Sequence, residues 1–278
     1  MTPPRPSTLR RCADGLYCLV ATPVFCVVMF GFFCPLVLVS PTLPLRRAIG
    51  RAAVHVCLAL IGQRLRREAM NGLPDTPAVV VSNHASYMDG LILTAVLPGR
   101  FTFVVQDGAA RWPFVGRVLR RMGVSFINRS SVRAGAQQTR QLMKRLKSGE
   151  SLAIFAEGTF DDHAPGLLPF KNGAFLLAAR AEVPVVPAVI RNSREMLGAG
   201  WRGFRWRPVS VVIGPPCLPT GSDRAAVAAL KQQARHWIAA RCDEPDLEAR
   251  TDTSPDAGPD AGPDAGPDAG PDARFGGP

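Results

Sequence analysis

Between residues 76 and 241 short β-branched or apolar runs alternate with longer segments whose apolar positions recur every three or four residues. The runs at 79–82, 101–105, 124–127, 152–155, 185–190 and 208–213 predict strands. The segments 87–97, 113–122, 132–147, 173–182 and 223–241 predict helices. Leu142 and Leu146 share one face of the third. Val227, Leu230, Ala234, Trp237 and Ile238 share one face of the last. Strands that alternate with helices predict an α/β fold with a largely parallel central sheet flanked by helices. In such sheets ligands gather beyond the carboxyl ends of the strands.

The two ends of the chain break this pattern. Leu16 to Ser40 is a run of 25 uncharged, mostly apolar residues, with Arg10-Arg11 before it and Arg46-Arg47 after it. That is long enough to cross a bilayer, and it has no small-residue cleavage site of the secretory kind. Gly31 and Pro35 interrupt its second half and are expected to turn the chain back. Ala52–Gly62 is too short to span and is expected to lie in the membrane interface beside Arg51, Arg64, Arg66 and Arg67. Residues 14–62 therefore read as a membrane-anchoring helical segment, re-entrant or monotopic rather than a full span. At the other end Pro-Asp-Ala-Gly repeats almost unchanged from Pro255 to Ala273. Such a segment has no core-forming residues, so 243–278 reads as a disordered C-terminal tail.

Charge sharpens this division. The chain has 33 basic and 22 acidic residues, of which ten acids and only two arginines fall in 243–278, leaving the first 242 residues at +19. So basic a body is suited to a polyanion, either nucleic acid or an anionic lipid surface. Aromatic residues are 7% of the chain, the cations are dispersed and no nucleic-acid recognition motif is present, so the membrane is the expected partner and nucleic acid is not. The acidic tail is expected to screen the basic body. The seven cysteines, at 12, 18, 26, 34, 57, 217 and 242, show no CxxC spacing. Neither a zinc site nor a disulfide framework is expected, and free thiols suit a reducing compartment.

Polar residues cluster where the predicted strands end. Val79–Ser82 runs into Asn83-His84, with Asp89 five residues beyond the histidine at a helix start. A histidine with an acid at that distance fits a general base and its orienting partner. Ser86-x-x-Asp89 before an apolar run equally fits a capping box. Val124–Ile127 leads to Asn128-Arg129, Leu152–Ala156 to Glu157-Gly158-Thr159, and Val185–Ile190 to Arg191-Asn192. An arginine there suits a phosphate or carboxylate clamp, and a glycine lets the backbone approach a ligand. Surface charges and an ordinary turn fit the same residues.

Four ordered blocks resemble the glycerolipid acyltransferases of the lysophosphatidic acid acyltransferase type. Asn83-His84-Ala-Ser-Tyr-Met-Asp89 matches their NHxxxxD block, and Gly123-Val-Ser-Phe-Ile-Asn-Arg129 resembles GxxFIDR. Phe155-Ala-Glu-Gly-Thr159 resembles FPEGT, and Val183-Pro-Val-Val-Pro187 resembles VPxxP. Pro113-Phe-Val-Gly116 and Leu168-Pro-Phe-Lys-Asn-Gly173 fit the connecting segments, so the likeness covers roughly residues 62–215. It implies an acyltransferase domain at 63–242. His84 would be the catalytic base held by Asp89, and Arg129, Glu157, Gly158 and Thr159 would bind the acceptor. The donor would be acyl-CoA or acyl carrier protein, the acceptor a lysophospholipid, most simply lysophosphatidic acid. Neither metal nor bound cofactor is implied, and the domain is expected on the cytoplasmic side of the inner membrane. Gln106 stands where the family usually has lysine, Phe160 where it has arginine, and Asn128 where it has aspartate. With two cations missing, a lyso-ornithine lipid is the alternative acceptor. A catalytically dead lipid-binding scaffold is the more distant alternative, and His84, Asp89 and Glu157 all being present argues against it.

Overall fold

The computed structural model describes residues 8–127, 132–159, 165–197 and 203–248. A first helical stretch consists of α1 (Thr8–Cys26), a π-helical segment (Val27–Phe33) and α2 (Cys34–Val39), which α3 (Leu43–Leu60) follows after a short turn. The α/β body then runs β1 (Leu65–Glu68), β2 (Val79–Ser82), α4 (Asp89–Val96), β3 (Phe101–Gln106), α5 (Pro113–Arg121) and β4 (Ser125–Ile127). It continues with α6 (Val132–Lys147), β5 (Ser151–Phe155), α7 (Gly173–Ala181), β6 (Val185–Arg191), α8 (Ser193–Met196), β7 (Val209–Ile213) and α9 (Arg224–Ala239).

The seven strands form one sheet in the order β1-β7-β6-β2-β5-β3-β4. All neighbouring pairs are parallel except β6 with β7. β2 is central: Val81 is in register with Ile154 of β5 on one side and Pro187 of β6 on the other. Its alternate side chains enter two cores. Val80 joins the cluster that includes Val54, Cys57 and Ile92, and Val79 and Val81 join the one that includes Leu146, Phe175 and Ile238. Burial on both faces explains why β2 is an unbroken β-branched run instead of an alternating one. β1 was not among the predicted strands. Its Leu-Arg-Arg-Glu sequence has no apolar alternation and mostly exposed side chains, and its backbone pairs only with β7. A charged edge of this kind discourages pairing with other chains.

The amino-terminal segment differs from expectation in one respect. The chain does not turn back at Gly31 or Pro35, because Thr8–Val39 is one helical stretch of 32 residues. The π-helical turns at Val27–Phe33 shift the bonding pattern just ahead of Pro35, which has no N–H to give. Reversal comes at Ser40–Thr42, where Ser40 Oγ donates to Leu36 O at 2.6 Å and Arg46 Nε donates to Ser40 O at 2.8 Å. Ala52–Gly62, expected in the membrane interface, keeps Ala52, Val56 and Leu60 exposed on its outer side. It is the second half of α3, which buries Ala53, Val54, Cys57 and Leu58 and packs on α4.

Thr8–Val39 is the one stretch among the described residues long and apolar enough to cross a membrane, and only 28% of its apolar window is buried. Ala21, Phe25, Met29, Phe33 and Val37 face the body, while Leu16, Leu19, Val20, Val27, Phe32 and Val39 are exposed. Both ends are tied to the body. Arg207 pairs with Asp14 at 3.2 Å, and Arg121 donates to Leu38 O.

The carboxyl-terminal tail also begins later than expected. Residues 243–248 pack on the body as a strap. Leu167 N–H donates to Pro245 O at 2.8 Å, Leu247 N–H donates to Leu167 O at 3.2 Å, and Glu244 pairs with Arg194. Residues 249–278, with the Pro-Asp-Ala-Gly repeats, lie outside the described residues.

Candidate active site

β6, β2 and β5 are neighbours at the centre of the sheet, so their exits bring Arg191, His84 and Glu157 to one edge. The β2 exit is fixed first. Asn83 is buried, and its side chain continues the strand pairing past Ser82: Nδ2 donates to Ile190 O at 2.9 Å and Oδ1 accepts from Ile190 N–H at 2.8 Å. That pair of hydrogen bonds to β6 holds the peptide carrying His84.

His84 Nδ1 lies 2.9 Å from Asp89 Oδ2. The same oxygen accepts the backbone N–H groups of Ala85 at 2.7 Å and Ser86 at 2.8 Å. Asp89 is 0% exposed at the first turn of α4. A carboxylate accepts only, so the ring proton facing it sits on Nδ1 and Nε2 carries the lone pair. The capping-box alternative is realised only in part. Asp89 does satisfy two backbone donors, but they belong to the loop before α4. Ser86 Oγ accepts from Met88 N–H at 3.0 Å and donates to Leu197 O.

Phe155, the last residue of β5, stacks on the imidazole with ring centroids 4.0 Å apart and planes 11° from parallel. The His84 side chain is 18% exposed. One ring nitrogen is thus oriented by an acid and one ring face is covered by an aromatic, which fixes the direction of Nε2.

Glu157, expected to contribute to the acceptor's pocket, is bonded to backbone on both sides. It is 1% exposed, and both of its oxygens are engaged by backbone: Oε1 accepts from His84 N–H at 2.7 Å and Oε2 accepts from Leu168 N–H at 2.7 Å. It latches the β5 exit and the 165–168 segment to the peptide of the histidine. Burial pushes its carboxyl up to about 8, against the lowering effect of the two N–H donors. Gly158 closes the turn at φ 78°, a left-handed conformation that suits glycine, and Thr159 is exposed. Arg129, the expected phosphate clamp, lies outside the described residues, as do Asn128 and Phe160. Arg191 is engaged with Glu68, Asp243 and the carbonyl of Arg241. Among the described residues no three His, Cys, Asp or Glu side chains group in a way that would hold a metal ion.

Three contributors were not singled out from the sequence: the Asn83 amide, the Phe155 ring and the strap at 243–248. Asn83 and Phe155 belong to the recognised blocks, which signalled them without a role. Nothing local signals the strap, because Glu244 finds Arg194 fifty residues away.

Residues 63–191 match the family model described as Acyltransferase. The chain is 33% identical over 176 residues to the chloroplastic 1-acyl-sn-glycerol-3-phosphate acyltransferase BAT2 of Brassica napus, covering 62% of this chain and 49% of that protein. It is 33% identical over 164 residues to the human 1-acyl-sn-glycerol-3-phosphate acyltransferase alpha, covering 59% and 58%. A third relative, the 1-acyl-sn-glycerol-3-phosphate acyltransferase of Borreliella burgdorferi, is 30% identical over 146 residues, covering 52% and 58%. The chain thus spans about half the length of the curated relatives it matches. Among solved structures, that of the 1-acyl-sn-glycerophosphate (LPA) acyltransferase PlsC from Thermotoga maritima superimposes with a TM-score of 0.61 at 20% identity. The match covers 82% of this chain and 97% of that one, and it shows that the fold is shared.

Proposed function

We propose that this chain, whose residues 63–191 match the Acyltransferase family model, moves a fatty acyl group from a thioester donor to the free hydroxyl of lysophosphatidic acid. The observation that carries this reading is the 2.9 Å contact of His84 Nδ1 with the buried Asp89 carboxylate. It leaves Nε2 as the proton acceptor.

In the proposed reaction Nε2 removes the acceptor's hydroxyl proton as the oxygen attacks the thioester carbonyl. Asp89 keeps the tautomer and stabilises the imidazolium that forms. The thiolate departs with the electron pair of the broken C–S bond, and the proton held on His84 is returned to it. A thiolate leaves readily, so no serine or cysteine nucleophile, metal or bound cofactor is required. The donor is acyl-CoA or acyl carrier protein. Thr8–Val39 lies along the body and presents its exposed apolar face to the bilayer as a monotopic anchor, with the domain on the cytoplasmic side. The tie of both helix ends to the body supports an anchor that lies along the domain.

His84→Ala should lower thiol release from acyl-CoA with added lysophosphatidic acid by about 10²–10⁴-fold while leaving vesicle association unchanged. Full activity in a pure preparation would defeat the reading. Gln106 and Phe160, where the family carries cations, favour a lyso-ornithine lipid as the second acceptor to test. A side-by-side screen of lysophosphatidic acid, lysophosphatidylethanolamine and lyso-ornithine lipid against one acyl-CoA decides between them.

A further inference from the structure

A cavity of about 690 Å³ lies between the first half of α3 and the turn that leads from α4 into β3. It is at the opposite end of the sheet from His84. Gly99 and Arg100 line it just before β3 begins, and Phe101 is in register with Ser151, the first residue of β5. His84 leaves the other end, past the last residue of β2.

The chemistry of its wall is unbalanced. Among the described residues no carboxylate lines the cavity, yet Arg47, Arg51 and Arg100 do. Arg47 is committed to Glu150 at 3.0 Å and to Gly99 O at 2.9 Å. Arg100 donates to Pro74 O, but its Nε is buried with no partner among the described residues. Arg51 makes no hydrogen bond or ion pair among the described residues, and its Nε is buried as well. Neither Arg51 nor Arg100 has a carboxylate partner among the described residues, so the two guanidinium groups at one cavity suit an anion.

The rest of the wall says which kind. Pro44, Ala48 and Ala52 stand at four-residue spacing on the exposed side of α3, and the row continues out of the cavity through Val56 and Leu60, which are 41% and 58% exposed. Sixteen residues of helix make this apolar row about 24 Å long. A free inorganic anion has no use for it. An amphiphile does, with its phosphate between Arg51 and Arg100 and an acyl chain along Ala52, Val56 and Leu60. α3 also follows Thr8–Val39 after the short Ser40–Thr42 turn, and both helices carry exposed apolar side chains.

We propose that this cavity binds the phosphate of an anionic phospholipid, outside the acyl-transfer site, and so fixes how the domain stands on the bilayer. The proposal rests on the membrane-anchor reading and is independent of the acyl-transfer chemistry.

The test uses the full chain and phosphatidylcholine vesicles with and without 20 mol% phosphatidylglycerol, which is neither acceptor nor product of the proposed reaction. Arg51→Gln and Arg100→Gln should each reduce the phosphatidylglycerol-dependent gain in affinity by about fivefold. Arg224→Gln, the same charge change at an exposed position on α9, should change it less than twofold. Ala48→Trp fills the cavity without altering charge and should reduce the gain at least threefold. Should Arg100→Gln fail to fold, Arg51→Gln suffices, since that side chain has no bond among the described residues to lose. Equal effects of Arg51→Gln and Arg224→Gln, or no effect of Ala48→Trp, would overturn the proposal in favour of diffuse surface charge. Reversal of vesicle binding by inorganic phosphate at constant ionic strength would overturn it in favour of a free-anion site. Unchanged acyl transfer by Arg51→Gln on micellar substrate is expected, and this separates failure of the lipid site from failure of the catalytic reading.

Discussion

Replacing Glu157 by glutamine removes one acceptor and changes nothing in size. In the native protein each carboxyl oxygen takes one backbone N–H at 2.7 Å, from His84 and from Leu168. An amide has one oxygen, so its NH2 must face one of these donors across a site that is 1% exposed. A buried donor left without an acceptor costs about 1–3 kcal/mol. The titration of Glu157 adds a second effect with its own sign. Burial raises its pKa from 4.5 to about 8, so the folded state holds a proton that the unfolded state has lost between those values. That stabilisation is fully present below pH 4.5 and is lost as pH rises toward 8, amounting to about 3 kcal/mol between pH 5.5 and 8.5. Glutamine does not titrate. Glu157→Gln should therefore be less stable than the native chain by about 2 kcal/mol at pH 5.5, and the gap should close or invert by pH 8.5. Urea unfolding of the two proteins in one detergent, at half-unit pH steps, reads the difference directly. A gap that stays constant or widens with pH would refute the argument, because it would mean that Glu157 is ionised throughout in the folded protein.

Other changes test separate links in the structure. Asp89→Asn can keep an oxygen facing Nδ1 and the Ala85 and Ser86 N–H groups but removes the charge that stabilises the imidazolium. It should lower kcat by about 10–100-fold with KM within threefold, and a kcat within twofold of native would count against the base assignment. Truncation before residue 249 removes six acids and two arginines and should strengthen binding to anionic vesicles without changing the unfolding midpoint. Truncation before residue 243 also strips Glu244, Asp246 and Glu248 from Arg194 and Arg235. The Arg235 side chain is 5% exposed, so this longer truncation should cost about 3–5 kcal/mol in the same urea assay. Gly72→Ala would put a Cβ 1.8 Å from the carbonyl oxygen of Gly214, so it should destabilise the protein by about 3 kcal/mol, measured as a lower urea midpoint.

The legible parts of the chain were those whose information is local. The strand-and-helix alternation reported itself because each buried strand is a short β-branched run and each helix carries one apolar face. His84 and Asp89 could be paired because they flank a single turn between β2 and α4. Glu157 is assigned to the acceptor pocket through the family match, and nothing local in the sequence signals that both of its oxygens are taken by the backbone N–H groups of His84 and Leu168. β1 stayed hidden because an edge strand needs only backbone partners, and Leu65–Glu68 is written almost wholly in charged residues. The strap at 243–248 stayed hidden because its acids are matched to arginines on α8 and α9 that the order of strands alone brings near.

The amino-terminal helix poses a different problem, and the reason bears on function. Ala21, Phe25, Met29, Phe33 and Val37 repeat every four residues, the spacing of an ordinary buried face. In a water-soluble helix polar residues on the other side would have made that face stand out. Here the other side is Leu16, Leu19, Val20, Val27 and Phe32, all at least 59% exposed, so the packed face is camouflaged by an equally apolar outward one. Exposing that much apolar surface to water would cost the folded state what burying the inner face contributes, at about 25 cal/mol per Å² for either. An outer face of this kind is suited to contact with lipid and not with water. The loss of contrast between the two faces is therefore itself consistent with membrane association of the domain.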